Sequence, residues 1–146
     1  MSLKENKAIA RRFTEEGWPN PDIFDEIVAD DFVWHGTNVT TLEDFKKLAF
    51  GFMSIFPDMR TTAEDVIAEG DKVTVRWTFT GTQTGEWAGI LPTNKQATWA
   101  GVAIYRIADG KVVEGWQWAN MMGAFRQLGV LPPWNEMVEQ ANSRLG

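Results

Sequence analysis

The sequence predicts an α+β domain, on the basis of its hydrophobic spacing and two hairpin signals. Apolar residues recur at helical spacing in the first part of the chain and alternate with polar residues over residues 61–119. Gly70-Asp71 and Asp109-Gly110 interrupt the alternating part with two-residue turns typical of β-hairpins. Helices followed by a run of antiparallel strands are typical of the α+β class. We predict one domain over residues 1–146.

Capping boxes mark two of the helix starts. In each box, a Ser or Thr is followed three residues later by a Glu, and the two side chains can bond backbone N–H groups reciprocally. The boxes are Ser2 with Glu5 and Thr40 with Glu43. The predicted helices are residues 3–16, a short segment after Asn20-Pro21, the segment between Thr40 and Pro57, residues 121–128 and a C-terminal helix after the Pro-Pro break.

The predicted strands can be paired by counting outward from each turn, because two-residue turns fix register. The strands are residues 31–35, 61–69, 72–82, 96–107 and 111–119, with a Gly- and Pro-containing loop at 83–95. The first hairpin then pairs Glu69 with Lys72, Val66 with Val75, Asp65 with Arg76, and Thr62 with Phe79. The second pairs Tyr105 with Glu114, Ala103 with Trp116, Gly101 with Trp118, and Trp99 with Asn120. We expect Asp65 and Arg76 to form a structural ion pair.

The predicted pairing makes both faces of the second hairpin largely apolar. One face carries the four pairs around Tyr105 and Trp116, and the other carries Ala100, Val102, Ile104, Gln117 and Ala119. A sheet that is apolar on both faces needs two covers, and the predicted helices are too few for both. We therefore expect the second face to meet another subunit in a homodimer.

Composition excludes several kinds of chemistry. The chain has no Cys and a single His, which excludes disulfides, thiolate nucleophiles and a metal site made of several His residues in one chain. No Walker, dinucleotide or G-x-S-x-G motif occurs. The net charge is −6 and no Lys/Arg cluster is present, which argues against a nucleic-acid partner. We expect neither a metal nor a cofactor.

Two further features concern location and cavity. The segment Met1–Asn6 is polar, and no apolar run approaches the roughly 18 residues of a membrane span, so we expect a cytoplasmic protein.

The aromatic composition is uneven, with eight Trp and nine Phe but only one Tyr. This skew favours a core with a ligand cavity, although a bulky core plus a dimer face would explain it equally well.

The candidates for proton transfer are the groups that can titrate inside an apolar pocket: His35, Asp58, Tyr105 and Glu114. A lone His is usually structural, but the position of His35 at a strand end makes a catalytic role comparably plausible. Asp58 fits a turn-capping role better. Glu114 is either a general base with a raised pKa or a carboxylate satisfied by the Tyr105 hydroxyl. The expected pocket-lining residues are Phe13, Trp34, Met53, Phe56, Gln83, Trp99, Tyr105, Trp116 and Trp118, although the Trp residues fit a core role as well.

The chain resembles the SnoaL-like polyketide cyclases of the NTF2-like superfamily. The resemblance lies in ENKAIARRFTEEGW, DDFVWHG, the segment FPDMRTTAEDVIAEGDKVTVRWTFTGTQTGEWAGILPTNK, the strand pair IYRIADGKVVEGWQW, and RQLG. It implies a cone-shaped fold, commonly dimeric, in which helices close a curved sheet over a pocket that binds a small hydrophobic molecule. It also implies a cofactor-free aldol closure of a polyketide ester.

Two positions depart from the pattern of that family. The acid/base Asp of the cyclases, in W-x-x-x-D, falls on Asn120, and the frequent G-T-H-T-G has Gln83 in place of His. Neither an Asn nor a Gln exchanges protons near neutral pH. Asn120 retains the ability to polarise a carbonyl by donating a hydrogen bond.

Three functions are compatible with the sequence. The first is a cyclase- or isomerase-like enzyme in which His35 or Glu114 replaces the missing Asp, with Asn120 as a third candidate catalytic residue. The second is a non-catalytic module that binds a small hydrophobic molecule. The third is a dimerisation domain whose Trp side chains fill its own cavity. The generous predicted pocket favours the enzyme slightly.

Overall fold

The computed structural model describes residues 2–37 and 39–146; Met1 and Asn38 lie outside the described residues. The chain has the α+β fold that the sequence predicts, with helices packed on a five-stranded sheet. The elements are α1 (Leu3–Arg12), a π-helical turn (Phe13–Gly17), a 3₁₀ turn (Pro21–Ile23), α2 (Phe24–Ile27), β1 (Val28–Trp34), α3 (Leu42–Ile55), β2 (Arg60–Glu69), β3 (Lys72–Thr82), β4 (Gln96–Ala108), β5 (Lys111–Ala119), α4 (Met121–Gln127) and α5 (Trp134–Leu145).

The sheet has the order β1-β5-β4-β3-β2, with β1 parallel to β5 and every other pair antiparallel. Its inner face, towards the helices, carries the core, which is rich in Phe and Trp. Its outer face carries side chains that are half-buried or exposed. None of the helices in the described residues combines the length and apolar character needed to cross a membrane.

Helix capping agrees with one of the two predicted boxes. The Ser2 side chain accepts a hydrogen bond from the Glu5 backbone N–H at 3.1 Å, which confirms the first cap. The second prediction is one residue too early, because Thr41, and not Thr40, accepts from the Asp44 N–H at 3.1 Å. The first helix, predicted over residues 3–16, runs from Leu3 to Gly17 and changes from α to π geometry after Arg12.

The first hairpin pairs as predicted near its turn. Glu69 pairs with Lys72, Val66 with Val75, and Asp65 with Arg76, whose Nε lies 2.7 Å from the carboxylate. A bulge between Ala63 and Asp65 shifts the register beyond that point. The predicted Thr62–Phe79 pair is therefore wrong: Thr62 faces Thr78, and Phe79 faces Thr61.

The second hairpin has the predicted turn but not the predicted register. Asp109 and Gly110 have φ values of 51° and 77°, as a type I′ turn requires. The pairing then shifts between Arg106 and Ile107, because β5 has one extra residue there. All four predicted pairs are wrong. The observed pairs are Arg106 with Glu114, Tyr105 with Gly115, Ile104 with Trp116, Ala103 with Gln117, Val102 with Trp118, and Gly101 with Ala119.

This bulge exchanges the two faces of β5, since neighbouring residues of a strand point to opposite sides of the sheet. Gln117 and Ala119 share the inner face with Tyr105, where the sequence predicts Glu114, Trp116 and Trp118. Trp118 is 61% exposed, whereas Tyr105 is only 1% exposed. The expectation that the Trp residues of β5 point into the pocket is therefore wrong.

Candidate functional site

A cavity of about 240 Å³ lies between the inner face of the sheet and the helices. All five strands, the π-helical turn, α3 and α4 contribute to its wall or border it. Its lining residues are mainly aromatic and aliphatic, with a few hydroxyl and amide groups: Thr14, Trp18, Trp34, Thr37, Leu48, Phe52, Met59, Thr61, Trp77, Phe79, Trp87, Trp99, Tyr105, Gln117, Ala119 and Met121. Such a lining suits a small, largely apolar molecule.

Aromatic rings form one wall of the cavity. Trp87 lies nearly parallel to Trp99, with an interplanar angle of 17° and ring centroids 6.1 Å apart. The ring of Phe79 lies 4.0 Å from that of Trp99. Alternation along β3 and β4 directs these side chains inward, since Phe79 and Trp99 are paired across the two strands. The result is a set of flat surfaces against which a planar ligand could pack.

Trp77 contributes a polar atom that has no partner. Its side chain is 6% exposed, and its Nε1 makes no hydrogen bond to any of the described residues. Trp77 faces Gly101 across β3 and β4. An indole N–H can only donate a hydrogen bond, so the Trp77 Nε1–H lacks an acceptor among the described residues.

Four lining residues carry a hydroxyl group, and hydrogen bonds link three of them, Thr14, Thr61 and Tyr105. Thr14, in the π-helical turn, donates to the Ala10 carbonyl at 3.0 Å and lies 3.2 Å from the Tyr105 hydroxyl oxygen. Thr61 on β2 donates to the Thr14 carbonyl. Burial raises the pKa of Tyr105. Tyr105 therefore stays neutral near pH 7.

Among the described residues that line the cavity, Tyr105 alone has a side chain that titrates as an acid or base. The lining contains no carboxylate, imidazole or amine among the described residues. Nor do any three His, Asp or Glu side chains of residues 2–37 and 39–146 come together as metal ligands would. The cavity is equipped for binding and for hydrogen bonding more than for proton transfer.

A sequence model of the SnoaL-like polyketide cyclases matches residues 8–128. The chain belongs to the SnoaL-like polyketide cyclase family. No match is found among the curated proteins.

Solved structures agree with this membership. AclR from Streptomyces galilaeus, described as a candidate hydroxylase, is 33% identical, with a TM-score of 0.80 over 99% of this chain and 97% of AclR. TsrD from Streptomyces laurentii is 25% identical, with a TM-score of 0.77 over 88% of this chain and 96% of TsrD. IdmH from Streptomyces antibioticus, a candidate polyketide cyclase, is 26% identical, with a TM-score of 0.74 over 87% of this chain and 99% of IdmH.

Apart from Gln83 and Asn120, the candidate site residues fall into three groups in this SnoaL-like chain. Trp34, Trp99 and Tyr105 line the cavity. Phe13 and Phe56 are fully buried in the aromatic core, and Met53 is half-buried outside the lining. The outer sheet face, away from the cavity, holds Glu114, Trp116 and Trp118 of β5, and the side chain of His35, just after β1, lies against them.

His35 and Glu114 meet on the outer face, not in the cavity. His35 Nε2 lies 2.7 Å from one Glu114 carboxylate oxygen, and Arg106 Nε lies 2.7 Å from the other. The imidazole also stacks on Trp116, at 4.7 Å and 8°. Hydrogen bonds from Arg106, and then from His35, lower the pKa of Glu114. The expectation of a raised pKa at Glu114 is wrong, as is its predicted pairing with Tyr105.

Gln83, which replaces the His of the family pattern, is fully buried. Its Nε2 donates towards the carbonyls of Gly85, Ile90 and Leu91, and its Oε1 accepts from the N–H and the hydroxyl of Thr93. These bonds hold the loop after β3, which carries Trp87 to the cavity. Gln83 thus holds the loop that carries Trp87 in place without lining the cavity itself.

Asn120, which replaces the acid/base Asp of the family pattern, is the N-cap of α4. Its Oδ1 accepts a hydrogen bond from the Gly123 N–H at 3.0 Å, and its side chain is exposed. The residues on either side, Ala119 and Met121, line the cavity. Asn120 therefore lies at the edge of the site, and its side-chain oxygen is used by the helix cap.

Asp58 is bonded to the end of β3. Its carboxylate accepts hydrogen bonds from the N–H and the hydroxyl of Thr82, at 2.7 Å each.

Thirteen of the sixteen lining residues, Trp77 and Gln117 among them, are not among the candidates that the sequence predicts. The alternation along β3 is sufficient to find Trp77, because Val75 and Phe79 flank it on the same buried face. The predicted register places Gln117 on the wrong face because of the bulge in β5. Gln117 lines the cavity, and its side-chain amide makes no hydrogen bond within residues 2–37 and 39–146.

Proposed function

We propose that this chain binds a small, mainly apolar carbonyl compound of polyketide type in the cavity. The Trp77 Nε1–H carries the proposal, because Trp77 lines the cavity and this buried donor has no partner among the described residues. An unmet buried donor costs about 1–3 kcal/mol, and a ligand carbonyl that accepts from it would remove that cost. The aromatic wall of Trp87 and Trp99 would pack on the planar part of such a molecule.

The lining favours binding over cyclase-type catalysis. A general base for an aldol closure must reach the proton that it removes and be unprotonated near the working pH. His35 and Glu114 lie on the outer face, Asn120 does not titrate, and Tyr105 is neutral near pH 7. We therefore place the non-catalytic ligand-binding module ahead of the enzyme.

A matched pair of probes tests this function. 9-Fluorenone carries one carbonyl on a flat tricyclic frame, and fluorene has the same frame without the oxygen. We expect equilibrium dialysis to show about 10-fold tighter binding of fluorenone, as one well-made hydrogen bond would give. Trp77→Phe should remove the preference and keep the aromatic packing. Trp118→Phe, which changes a Trp on the outer face, should keep it.

Two results would overturn this proposal. One is that the wild-type protein binds neither probe. The other is that Trp77→Phe retains the preference for fluorenone. Chromatography of the dialysed probe would also reveal any product, and conversion of fluorenone would favour an enzyme over a binding module.

We also propose that a second copy of the chain covers the outer sheet face. Trp118, Ile67 and Val102 are exposed there by 61%, 66% and 37% of their surface. The same face carries both charge signs, in the Asp65–Arg76 and Glu114–Arg106 pairs, which a two-fold contact could match. Light scattering should give twice the chain mass of 16.5 kDa. Trp118→Glu should halve the measured mass, whereas Trp134→Glu, on α5, should not.

A further inference from the structure

The hydroxyl groups of Thr14, Thr61 and Tyr105 beside the cavity already donate their protons in hydrogen bonds within the protein. On the basis of the proposed function, we infer that the Tyr105 hydroxyl is an acceptor subsite, which selects ligands that present a hydroxyl or N–H donor to it. Trp77 would bind the ligand's acceptor, and Tyr105 its donor. The preferred ligand is then a hydroxylated carbonyl compound and not a simple ketone.

The order of donors and acceptors follows from the number of protons. The Ala10 carbonyl has no proton, so the Thr14 hydroxyl must donate in their 3.0 Å contact. Thr14 has one hydroxyl proton, so Tyr105 must be the donor in the 3.2 Å contact between Thr14 Oγ1 and the Tyr105 hydroxyl oxygen. The Tyr105 proton is then used, and only the lone pairs of its oxygen remain for a ligand.

Thr61 extends the same pattern. Its hydroxyl proton goes to the Thr14 carbonyl, which again leaves only acceptor capacity on its oxygen. A π-helical turn makes this arrangement possible, because it places both the hydroxyl and the carbonyl of Thr14 next to side chains of the sheet. Single π turns within α-helices are common at functional sites.

The oxygens of this set are neutral acceptors. Burial raises the pKa of the Tyr105 phenol, and neither Thr titrates. A ligand carbonyl or carboxylate placed against these oxygens would bring two sets of lone pairs together. Neither oxygen would then receive a hydrogen bond, and a buried acceptor without a hydrogen bond is unfavourable. A ligand hydroxyl would donate to one of them, so the subsite discriminates by the presence of a proton on the ligand.

The test compares the four monohydroxy-9-fluorenones with their methyl ethers, which keep the oxygen and lose the proton. We expect the wild-type protein to bind at least one hydroxyl isomer about 10-fold more tightly than its ether, as for one buried hydrogen bond. Tyr105→Phe should reduce that ratio to about twofold or less while keeping the preference for fluorenone over fluorene.

Thr14→Val supplies a result that a purely structural role would not give. Valine matches threonine in shape but accepts no hydrogen bond, so the Tyr105 proton is released and can be donated to a ligand. We expect the ethers to gain affinity in this variant and the preference for hydroxyl to disappear or reverse. It also keeps the test available if Tyr105→Phe does not fold, which circular dichroism would reveal.

The outcomes separate this inference from the proposed function. If the wild-type protein prefers fluorenone over fluorene but binds every hydroxyl isomer and its ether equally, the acceptor subsite is refuted and the carbonyl site stands. The subsite is likewise refuted if Tyr105→Phe or Thr14→Val keeps the hydroxyl preference. If fluorenone and fluorene do not bind at all, both proposals are overturned.

Discussion

A Cβ atom on Gly101 would lie 2.3 Å from Cζ2 of Trp77, its partner across β3 and β4. It would also lie 2.5 Å from the Trp118 carbonyl oxygen. The absence of a side chain at Gly101 therefore leaves the space that the Trp77 indole occupies over β4. The unpartnered Nε1 of Trp77 keeps its position because Gly101 is a glycine.

Gly101→Ala should consequently displace the Trp77 indole. Overpacking of this kind costs about 1–3 kcal/mol, and we expect a loss of unfolding free energy in that range, measured by urea denaturation. The preference for fluorenone over fluorene should fall at the same time. Gly51→Ala is the matched control: no atom outside its own helix lies within 4 Å of the added Cβ. It should stabilise the protein by about 0.5–1 kcal/mol, and equal losses in both variants would contradict this explanation.

Gln83→Leu should destabilise the loop that carries Trp87. Leucine has a similar volume but leaves the carbonyls of Gly85, Ile90 and Leu91 without the amide that they share. We expect a loss of about 2–4 kcal/mol in urea denaturation, since several buried groups lose their partner at once. Hydrogen exchange of residues 84–93 should accelerate. Gln96→Leu, at the exposed start of β4, is the control, and an unchanged exchange rate in Gln83→Leu would refute the positioning role.

The sequence predicts elements and turns far better than faces. Helical spacing and the hairpin dipeptides are local signals, so the strands from residue 60 to 119 lie within a residue or so of their predicted bounds. The face of the sheet on which a side chain lies, however, depends on the number of residues between it and the turn. The extra residue in β5 follows two correctly spaced pairs, Ala108 with Lys111 and Ile107 with Val112, and no Gly or Pro marks it.

This one residue accounts for three of the nine candidate site residues that do not line the cavity. It moves Trp116, Trp118 and Glu114 to the outer face and brings Gln117 inward. Residues whose direction depends on β3 or β4 alone, such as Trp99 and Tyr105, line the cavity as predicted. The hydrogen-bond order of Thr14, Tyr105 and Thr61 could not be derived from spacing, because it arises from a π turn that has no simple sequence pattern.

Glu114 should make stability depend on pH in acid. Hydrogen bonds from Arg106 and His35 lower its folded-state pKa, so its stabilising contribution is present above the unfolded value of about 4.3 and is lost as the pH falls through the folded value. We expect Glu114→Gln to be less stable than the wild type at pH 6, by about 1 kcal/mol or less because the cluster is partly exposed, and we expect this difference to shrink as the pH falls below about 4.

Urea denaturation at several pH values between 3 and 6 checks this expectation. Glu139→Gln, an exposed position on α5, is the control and should leave the pH dependence of the unfolding free energy unchanged. A stability difference between wild type and Glu114→Gln that stays constant over this range would contradict the role of the carboxylate charge.

Asn120→Asp should restore the residue type of the cyclases without restoring their chemistry. Asp caps helices as well as Asn does, and a negative charge at a helix N-terminus adds about 0.3–1 kcal/mol, so the variant should be as stable as the wild type or slightly more so at pH 7. Its carboxylate would replace the Asn120 oxygen that accepts from the Gly123 N–H, a bond that holds it to the cap and not in the cavity. We expect no turnover of heptane-2,6-dione, whose intramolecular aldol closure followed by loss of water yields an enone that absorbs in the ultraviolet. Asn142→Asp adds the same charge on α5 and is the control. Enone formation by Asn120→Asp above the rate with Asn142→Asp would show that the carboxylate alone is sufficient for the closure, and that the binding pocket differs from an enzyme by a single functional group.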